Sequence, residues 1–357
     1  MFCSAINLSR ITSITNPTNS FFRILPTTVC NARCFYCYEK SQNATSMNRA
    51  TADQVCEFIS TVGKGKIKIE WFGGEPLMNT DIIDYISCRL REKLGDDNVA
   101  FSMVSNGSLI NSEIIKKMNS KWNIRKIQIT LDGTEQEYGR RKKYANSNNY
   151  FQTVIKNIIQ MADNGIYTSV RLNYDANNLQ DILSLIEYLN SFLPRTKYLS
   201  VYAYHLYGNS KVQTLDITKQ DCWFAVQNAL VNAGFLTPLK AFALHQRTTQ
   251  CSACAVDGFV ISPNGELYKC TMAMDDNNAK FGDIWGGITN YSAIEQWCNP
   301  SLEERCFKCE FLPICQGGCR ASAFSFNYTS ETCFVQKEWV DDLLRERVNY
   351  LKNASPR

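Results

Sequence analysis

What the chain does not have narrows the field first. No apolar run in its 357 residues approaches the ~18 residues that a membrane-spanning helix requires. The N-terminus has no apolar h-region of the kind that directs secretion. The expectation is a cytoplasmic protein without a membrane partner. Neither sign of charge is in excess: 38 basic and 34 acidic residues leave +4, too balanced to argue for nucleic acid. The one basic run, Arg140-Arg141-Lys142-Lys143, reads as a solvated loop or helix start. There is no internal repeat, and no low-complexity segment beyond Asn146–Asn149.

Cysteine, by contrast, is plentiful, with 16 residues. In a secreted chain that number would suggest disulfides; in a cytoplasmic one, clustered cysteines point to metal. A hydrophobic content of 45% suffices for a sizeable core, and the length suggests about two domains. The densest stretch is Cys30-Asn31-Ala32-Arg33-Cys34-Phe35-Tyr36-Cys37. Its C-x3-C-x2-C spacing offers three thiolates where a closed site takes four, and a centre one ligand short keeps a position open. Iron–sulfur clusters are held by such runs. A [4Fe–4S] cluster with one uncapped iron is the functional reading; a zinc knob or three unrelated thiols remain open on spacing alone.

With Tyr36 before its last cysteine, this stretch resembles the signature of the radical S-adenosylmethionine (SAM) superfamily. The resemblance implies that the open iron binds the amino and carboxylate groups of SAM. An electron from the cluster then splits SAM into methionine and a 5′-deoxyadenosyl radical that abstracts hydrogen from a substrate.

From residue 21 onward, strand-like runs alternate with helix-like runs, which argues for βαβ units and a parallel sheet. Strands are expected at Phe21–Leu25, Lys66–Phe72, Val99–Val104, Lys126–Leu131, Tyr167–Leu172 and Tyr198–Tyr204. Helices are expected at Ala50–Val62, Asp81–Leu94, Asn111–Asn119, Tyr150–Ala162, Leu179–Phe192 and Thr218–Ala233. Six βα units are the count of a partial (β/α)6 TIM-like barrel in the α/β class; periodicity leaves an open doubly wound sheet as the alternative. Near residue 245 the chain turns rich in cysteine and glycine, with no further βα alternation and little apolar pattern, so metal would have to staple it. The expected division is a tail over 1–19, the barrel over 20–240 and a cysteine-rich domain over 241–357 that ends in a helix, Val335–Tyr350.

Chemistry in such folds sits at the carboxyl ends of the strands, and the unusual polar motifs fall there. Gly73-Gly74-Glu75-Pro76 follows strand 2, Ser105-Asn106-Gly107 strand 3 and Thr130-Leu131-Asp132-Gly133 strand 4. Arg171-Leu172-Asn173 ends strand 5, and His205 and Tyr207 follow strand 6. Two glycines let backbone approach a ligand, and Glu75 has the chemistry to accept a charge-assisted bond from an ammonium. The stretch resembles the family's GGEP motif, which contacts the SAM amino group. By the same resemblance Ser105, Asn106 and Thr130 hold ribose and carboxylate, Arg141 or its neighbour Arg140 meets the carboxylate, and Tyr36 offers its backbone to the adenine. Arg171 and Asn173 face the same mouth, Arg171 as a further expected contact to SAM. A turn, capping or buried structural role is open for each.

The remaining cysteines run Cys251-x2-Cys254-x10-Gly265-x4-Cys270, then Cys306-x2-Cys309-x5-Cys315-x3-Cys319-x13-Cys333. This resembles the SPASM domain of radical SAM enzymes that modify peptides and proteins. The resemblance implies that Cys251, Cys254, Cys270 and Cys319 ligate one auxiliary [4Fe–4S] cluster, and Cys306, Cys309, Cys315 and Cys333 another, three clusters in all. Two structural zinc sites are the rival. Cys3, Cys56, Cys88, Cys222 and Cys298 have no ligand spacing. The family's sulfatase maturases carry an Asp base after the third ligand of the first auxiliary cluster; here that position is Thr271. The departure favours a radical peptide maturase that forms a thioether or C–C crosslink in a ribosomally made precursor. A sulfatase-maturing enzyme and a non-enzymatic zinc or iron–sulfur protein are the alternatives. Expected partners are a precursor peptide or protein, a reductant such as flavodoxin or ferredoxin, and a separate peptide-recognition protein. His205, His245, Tyr204 and Asp257 are acid–base candidates by type alone.

Overall fold

Phe21–Ile24 (β1) starts a parallel sheet that takes its strands in chain order: Ile67–Trp71 (β2), Val99–Ser105 (β3), Ile124–Leu131 (β4), Tyr167–Tyr174 (β5) and Leu199–His205 (β6). The molecule is a computed structural model that describes residues 19–41, 43–206, 218–242, 251–274, 276–298, 304–315, 317–319, 321 and 337–353. Strand alternation sets the two faces. In β2, Ile67, Ile69 and Trp71 are buried while Lys68 is exposed and Glu70 half-buried; β3 buries Val99, Phe101, Met103 and Ser105 in the same rhythm. The apolar face packs under helices Arg49–Val62 (α1), Thr80–Leu94 (α2), Ser112–Ser120 (α3), Glu135–Lys142 (α4), Phe151–Asp163 (α5), Leu179–Phe192 (α6) and Thr218–Asn232 (α7). One continuous core results, containing Ile69, Trp71, Phe101, Ile127, Val55, Ile83 and Ile158. Asn48 and Asn111 accept the backbone N–H groups of Thr51 and Ile114, so both begin their helices as caps.

Strand order decides between the two α/β architectures. A doubly wound sheet reverses direction at a switch point; this one runs β1 to β6 without reversal, as a barrel does. The barrel is open. Instead of pairing with β6, β1 takes Gly258–Ile261 (β7) on its free edge, in parallel, with Phe22 opposite Phe259 and their rings stacked at 5.2 Å. Glu266–Tyr268 (β8), Gly282–Asp283 (β9) and Gly287–Ile288 (β10) continue it antiparallel. The cysteine-rich region thus begins as an extension of the barrel sheet. Its strands are short, and all four β7 residues are buried, so neither period 2 nor length marks them out.

α4 also lacks a sequence signature. Its one buried aromatic is Tyr138, and the rest of Glu135–Lys142 is polar apart from Gly139. Glu135 and Glu137 in its first turn and Arg140, Arg141 and Lys142 in its last complement the helix dipole. The basic run is therefore a helix end, and Arg141 and Lys142 are buried within the protein, at 1% and 2% exposure, rather than solvated. Farther on, Tyr291–Cys298 forms α8 and Lys337–Asn353 forms α9. α9 folds back on α7: Leu343 packs with Val231 and Phe242, and Trp339 meets Trp223 at 5.6 Å. Among the described residues, no helix is long and apolar enough to cross a membrane.

Candidate active site at the strand ends

The loop after β1 carries Cys30, Cys34 and Cys37 and is bound to its surroundings by backbone. Arg33 N–H donates to the carbonyls of Lys142 (2.9 Å) and Lys143 (3.0 Å), Phe35 N–H to that of Arg141 (3.3 Å), and Ala145 N–H to that of Asn31 (2.8 Å). The end of α4 is thus one wall of the loop. The turn after β2 is a second. Gly74 N–H donates to the Thr27 carbonyl and Glu75 N–H to that of Val29. A Cβ on Gly73, whose φ is +115°, would stand 2.3 Å from the Thr27 oxygen; one on Gly74 would stand 2.4 Å from the Thr28 and Val29 oxygens. The two glycines let chain approach chain, which brings the GGEP turn against the segment that leads into Cys30.

Glu75 joins a third strand end. Its fully buried carboxylate accepts from Leu77 N–H (3.2 Å), Ser105 Oγ (2.9 Å) and Asn106 N–H (2.8 Å). Burial pushes its carboxyl up to about 7 in spite of those bonds. Asn106 Nδ2 donates to Asn31 Oδ1 at 2.8 Å and lies 4.0 Å from Cys30 Sγ. Asn31 in turn donates to Ser108 Oγ.

The floor is a buried polar network around Tyr36, Thr130 and Asn173, in which sequence reasoning did not single out Lys142 or the role of Asp132. Lys142 Nζ donates to Thr130 Oγ1 (2.7 Å) and Tyr36 Oη (3.0 Å) and pairs with Asp132 at 3.2 Å. Tyr36 donates to the Asp132 carboxylate at 2.9 Å, and Asn173 Nδ2 reaches the same carboxylate at 2.9 Å. Burial works against the Lys142 ammonium, but the charges of Asp132, Tyr36, Cys34 and Tyr138 together outweigh it and hold the group well above the ordinary lysine value. Burial, reinforced by Asp132, also pushes the Tyr36 phenol well up. The only signals in the sequence were an acid just past a strand end and one lysine in a run of four bases. Arg141 is saturated elsewhere: it pairs with Glu137 and, through both terminal nitrogens at 2.9 Å, with Asp175. Arg171 lies in register between Thr130 on β4 and Tyr202 on β6.

The thiols fit a metal centre in kind. Burial pushes the Cys30 thiol up to about 12, and the charges of Glu75, Cys34 and Cys37 add to the effect; a metal is what would hold such a group as thiolate. Cys270 is pushed up to about 11 by burial, with Cys251 and Cys319 contributing. Cys251 and Cys254 share one turn, Cys254 N–H donating to the Cys251 carbonyl, and Cys270 and Cys319 pack against Ala253, Trp297 and Ala321. Gly265, at φ +79°, closes the β7–β8 hairpin. Cys306 and Cys309 share another turn, and Cys315 ends the short helix that follows. Among the described residues, no three Cys, His, Asp or Glu side chains are drawn together as a finished metal cage. Cys333, Cys3, His245 and Tyr207 lie outside the described residues. Of the spare cysteines, Cys56, Cys222 and Cys298 are buried and Cys88 is partly so. His205 stacks edge-on with Tyr174, and burial raises the Asp257 carboxyl.

Residues 24–189 match the radical SAM superfamily. The chain carries a radical SAM domain. A cysteine-type anaerobic sulfatase-maturating enzyme of Clostridium novyi is 23% identical over 82% of this chain and 85% of its own length. An uncharacterized protein of Methanocaldococcus jannaschii is 32% identical over 30% of this chain. Probable GTP 3',8-cyclases include one of Methanococcus maripaludis, 27% identical over 43% of this chain. The chain spans 36% and 48% of the length of the last two relatives. Among solved structures, native anSMEcpe with bound AdoMet and a Cp18Cys peptide superposes at a TM-score of 0.69, with 17% identity, over 93% of this chain and 97% of that one. SuiB of Streptococcus suis bound to precursor peptide SuiA gives 0.58, with 15% identity, over 93% and 79%. These two share the radical SAM fold with this chain.

Proposed function

We propose that this radical SAM protein is a peptide maturase: it cleaves SAM reductively and abstracts hydrogen from a ribosomally made precursor, with a thioether or C–C crosslink as the outcome. The observation that carries the reading is the convergence of the β2, β3, β4 and β5 ends and the α4 terminus on the one loop that bears Cys30, Cys34 and Cys37. The peptides in the anSMEcpe and SuiB structures support a peptide substrate. The cyclase relative matches 43% of the chain, whereas the maturase match, at 82%, is too long to avoid the cysteine-rich third.

When bound, a [4Fe–4S] cluster with one iron open to SAM supplies the radical. Cys30, Cys34 and Cys37 would hold it. Tyr36, Gly73, Gly74, Ser105, Asn106 and Thr130 line the adjoining cofactor site. The Glu75 carboxylate already accepts three internal hydrogen bonds, so it shapes the turn while backbone of the GGEP stretch meets the cofactor. Lys142, beside Thr130 and Tyr36, is a better source of positive charge for the SAM carboxylate than Arg141, whose guanidinium is spent on Glu137 and Asp175. Cys251, Cys254, Cys270 and Cys319 would hold one auxiliary cluster; Cys306, Cys309, Cys315 and Cys333 the second. A flavodoxin- or ferredoxin-type reductant and a peptide-presenting protein complete the expected system.

Anaerobic reconstitution tests this directly. About twelve irons per chain are expected for three four-iron clusters, and dithionite should release 5′-deoxyadenosine from SAM. Replacing Cys30, Cys34 and Cys37 together with Ala should abolish that release; persistence would end the radical reading. Formylglycine on a C/S-x-P/A-x-R peptide would instead make the protein a sulfatase-maturing enzyme.

A further inference from the structure

The strands of the open barrel carry a surplus of positive charge. Strands β1 to β6 contain five Lys or Arg side chains, Arg23, Lys68, Arg125, Lys126 and Arg171, against a single acid, Glu70. That acid is already spent: Arg23 Nε donates to it at 2.6 Å. Arg171 stands toward the mouth end of β5. Its guanidinium lies 3.7 Å from the centre of the Tyr204 ring. Its Nε is buried without a hydrogen-bond partner, and it pairs with no carboxylate among the described residues. Its in-register neighbours are Thr130, on the side of the cysteine loop, and Tyr202, whose hydroxyl is occupied by Gln128 at 2.7 Å.

A buried guanidinium N–H without an acceptor is costly. A planar guanidinium stacked on an aromatic ring leaves its edge free, and that edge matches the two oxygens of a carboxylate. Tyr204 holds the fork in place, so little is lost in ordering it. We propose that Arg171 is a substrate-binding residue that takes a carboxylate of the precursor peptide and thereby positions the peptide next to the cofactor site at Thr130. The inference rests on the peptide-maturase reading and names its substrate as an acidic segment. It replaces the sequence-based expectation that Arg171 meets SAM.

The test is affinity selection from a solution library of synthetic peptides on the reconstituted holoprotein with S-adenosylhomocysteine, which is not cleaved. The library is made with free and with amidated C-termini. Wild type should enrich Asp or Glu at one position; enrichment confined to the free-acid library would identify the terminal carboxylate as the source. The best peptide, labelled for fluorescence anisotropy, should bind Arg171→Gln at least ten-fold more weakly, bind Arg171→Lys with intermediate affinity, and lose most of its affinity for wild type when its acid becomes the amide. Matching melting curves show that the variants fold. No acidic preference in wild type, the same preference in Arg171→Gln, or displacement of the peptide by GTP would overturn the proposal. So would a loss of S-adenosylhomocysteine affinity in Arg171→Gln as large as the loss for the peptide. Absence of SAM cleavage by wild type would strike the underlying maturase reading instead.

Discussion

The hydroxyls of Tyr38 and Thr271 lie 3.0 Å apart, and each residue directly follows a cysteine, Cys37 in the first loop and Cys270 in the second. One hydrogen bond therefore links the loop of the proposed radical centre to that of the proposed first auxiliary centre. It is also where, by the resemblance read from the sequence, the chain departs from the sulfatase-maturase pattern, with Thr271 at the position expected of a carboxylate base. Both groups are shielded: Thr271 is buried, and burial pushes the Tyr38 phenol far up. Tyr38→Phe and Thr271→Val should each lower unfolding free energy by about 1 kcal/mol, the usual net worth of such a bond. The double variant should cost little more than either single one, because both remove the same contact. Chemical denaturation of the four proteins measures the coupling; fully additive losses would mean that the bond does not hold the loops together.

Lys142 and Asp132 give a larger effect. Asp132 is fully buried and Lys142 nearly so. Removing one member of such a pair leaves an uncompensated charge and costs about 3–5 kcal/mol, whereas removing both is far milder. Lys142→Met should therefore unfold well before wild type, and Lys142→Met with Asp132→Asn should recover much of the loss. Thermal melts of the apo-proteins check this. A single variant as stable as wild type would mean that the ammonium is not committed to Asp132.

How the site is assembled explains what could be read from the chain and what could not. Strand and helix positions follow local periodicity, so Ile67, Ile69 and Trp71 on β2 or Val55 and Ile59 on α1 announce their elements. The polar strand ends were legible because barrel geometry collects them on one rim. The choice between Arg141 and Lys142 was not. It depends on Asp175, which arrives from the end of β5, and on Tyr36, from the loop after β1; adjacent bases in a run look alike until those partners are in place. α4 escaped because charge complementarity with the dipole, rather than an apolar stripe, defines it. β7 escaped because four buried residues between cysteines carry no period. The GGEP glycines were recognised for backbone approach, and the approach on view is to the chain itself at Thr27 to Val29.

That last contact is directly testable. Gly73 has φ +115° and no room for a Cβ beside the Thr27 carbonyl. Backbone strain alone is worth about 1–3 kcal/mol, and the overlap adds to it. Gly73→Ala should lower the melting temperature of the apo-protein and reduce the iron retained after reconstitution, since the same turn braces the segment entering Cys30. An Ala variant that melts and loads iron like wild type would show that the turn tolerates separation from residues 27–29.

The Arg141–Asp175 pair predicts how acid affects the fold. Burial by itself would raise the Asp175 carboxyl, but hydrogen bonds and charge from Arg141 prevail and hold it below its ordinary value of 3.8. A carboxyl depressed in the folded state contributes stability above its unfolded value, and that stability is lost as pH falls through the folded one. Arg141 stays charged throughout, so the loss comes from the acid alone. The melting temperature of apo wild type should therefore fall steeply once pH drops below about 4. Asp175→Asn should start from a lower plateau at neutral pH and show a shallower acid limb. Because Arg141 accepts a bond from Phe35 through its carbonyl, the same variant should speed amide exchange at Phe35 at neutral pH. Parallel acid limbs for the two proteins, with Phe35 exchange unchanged, would mean that the ion pair neither titrates with the fold nor steadies the cysteine loop.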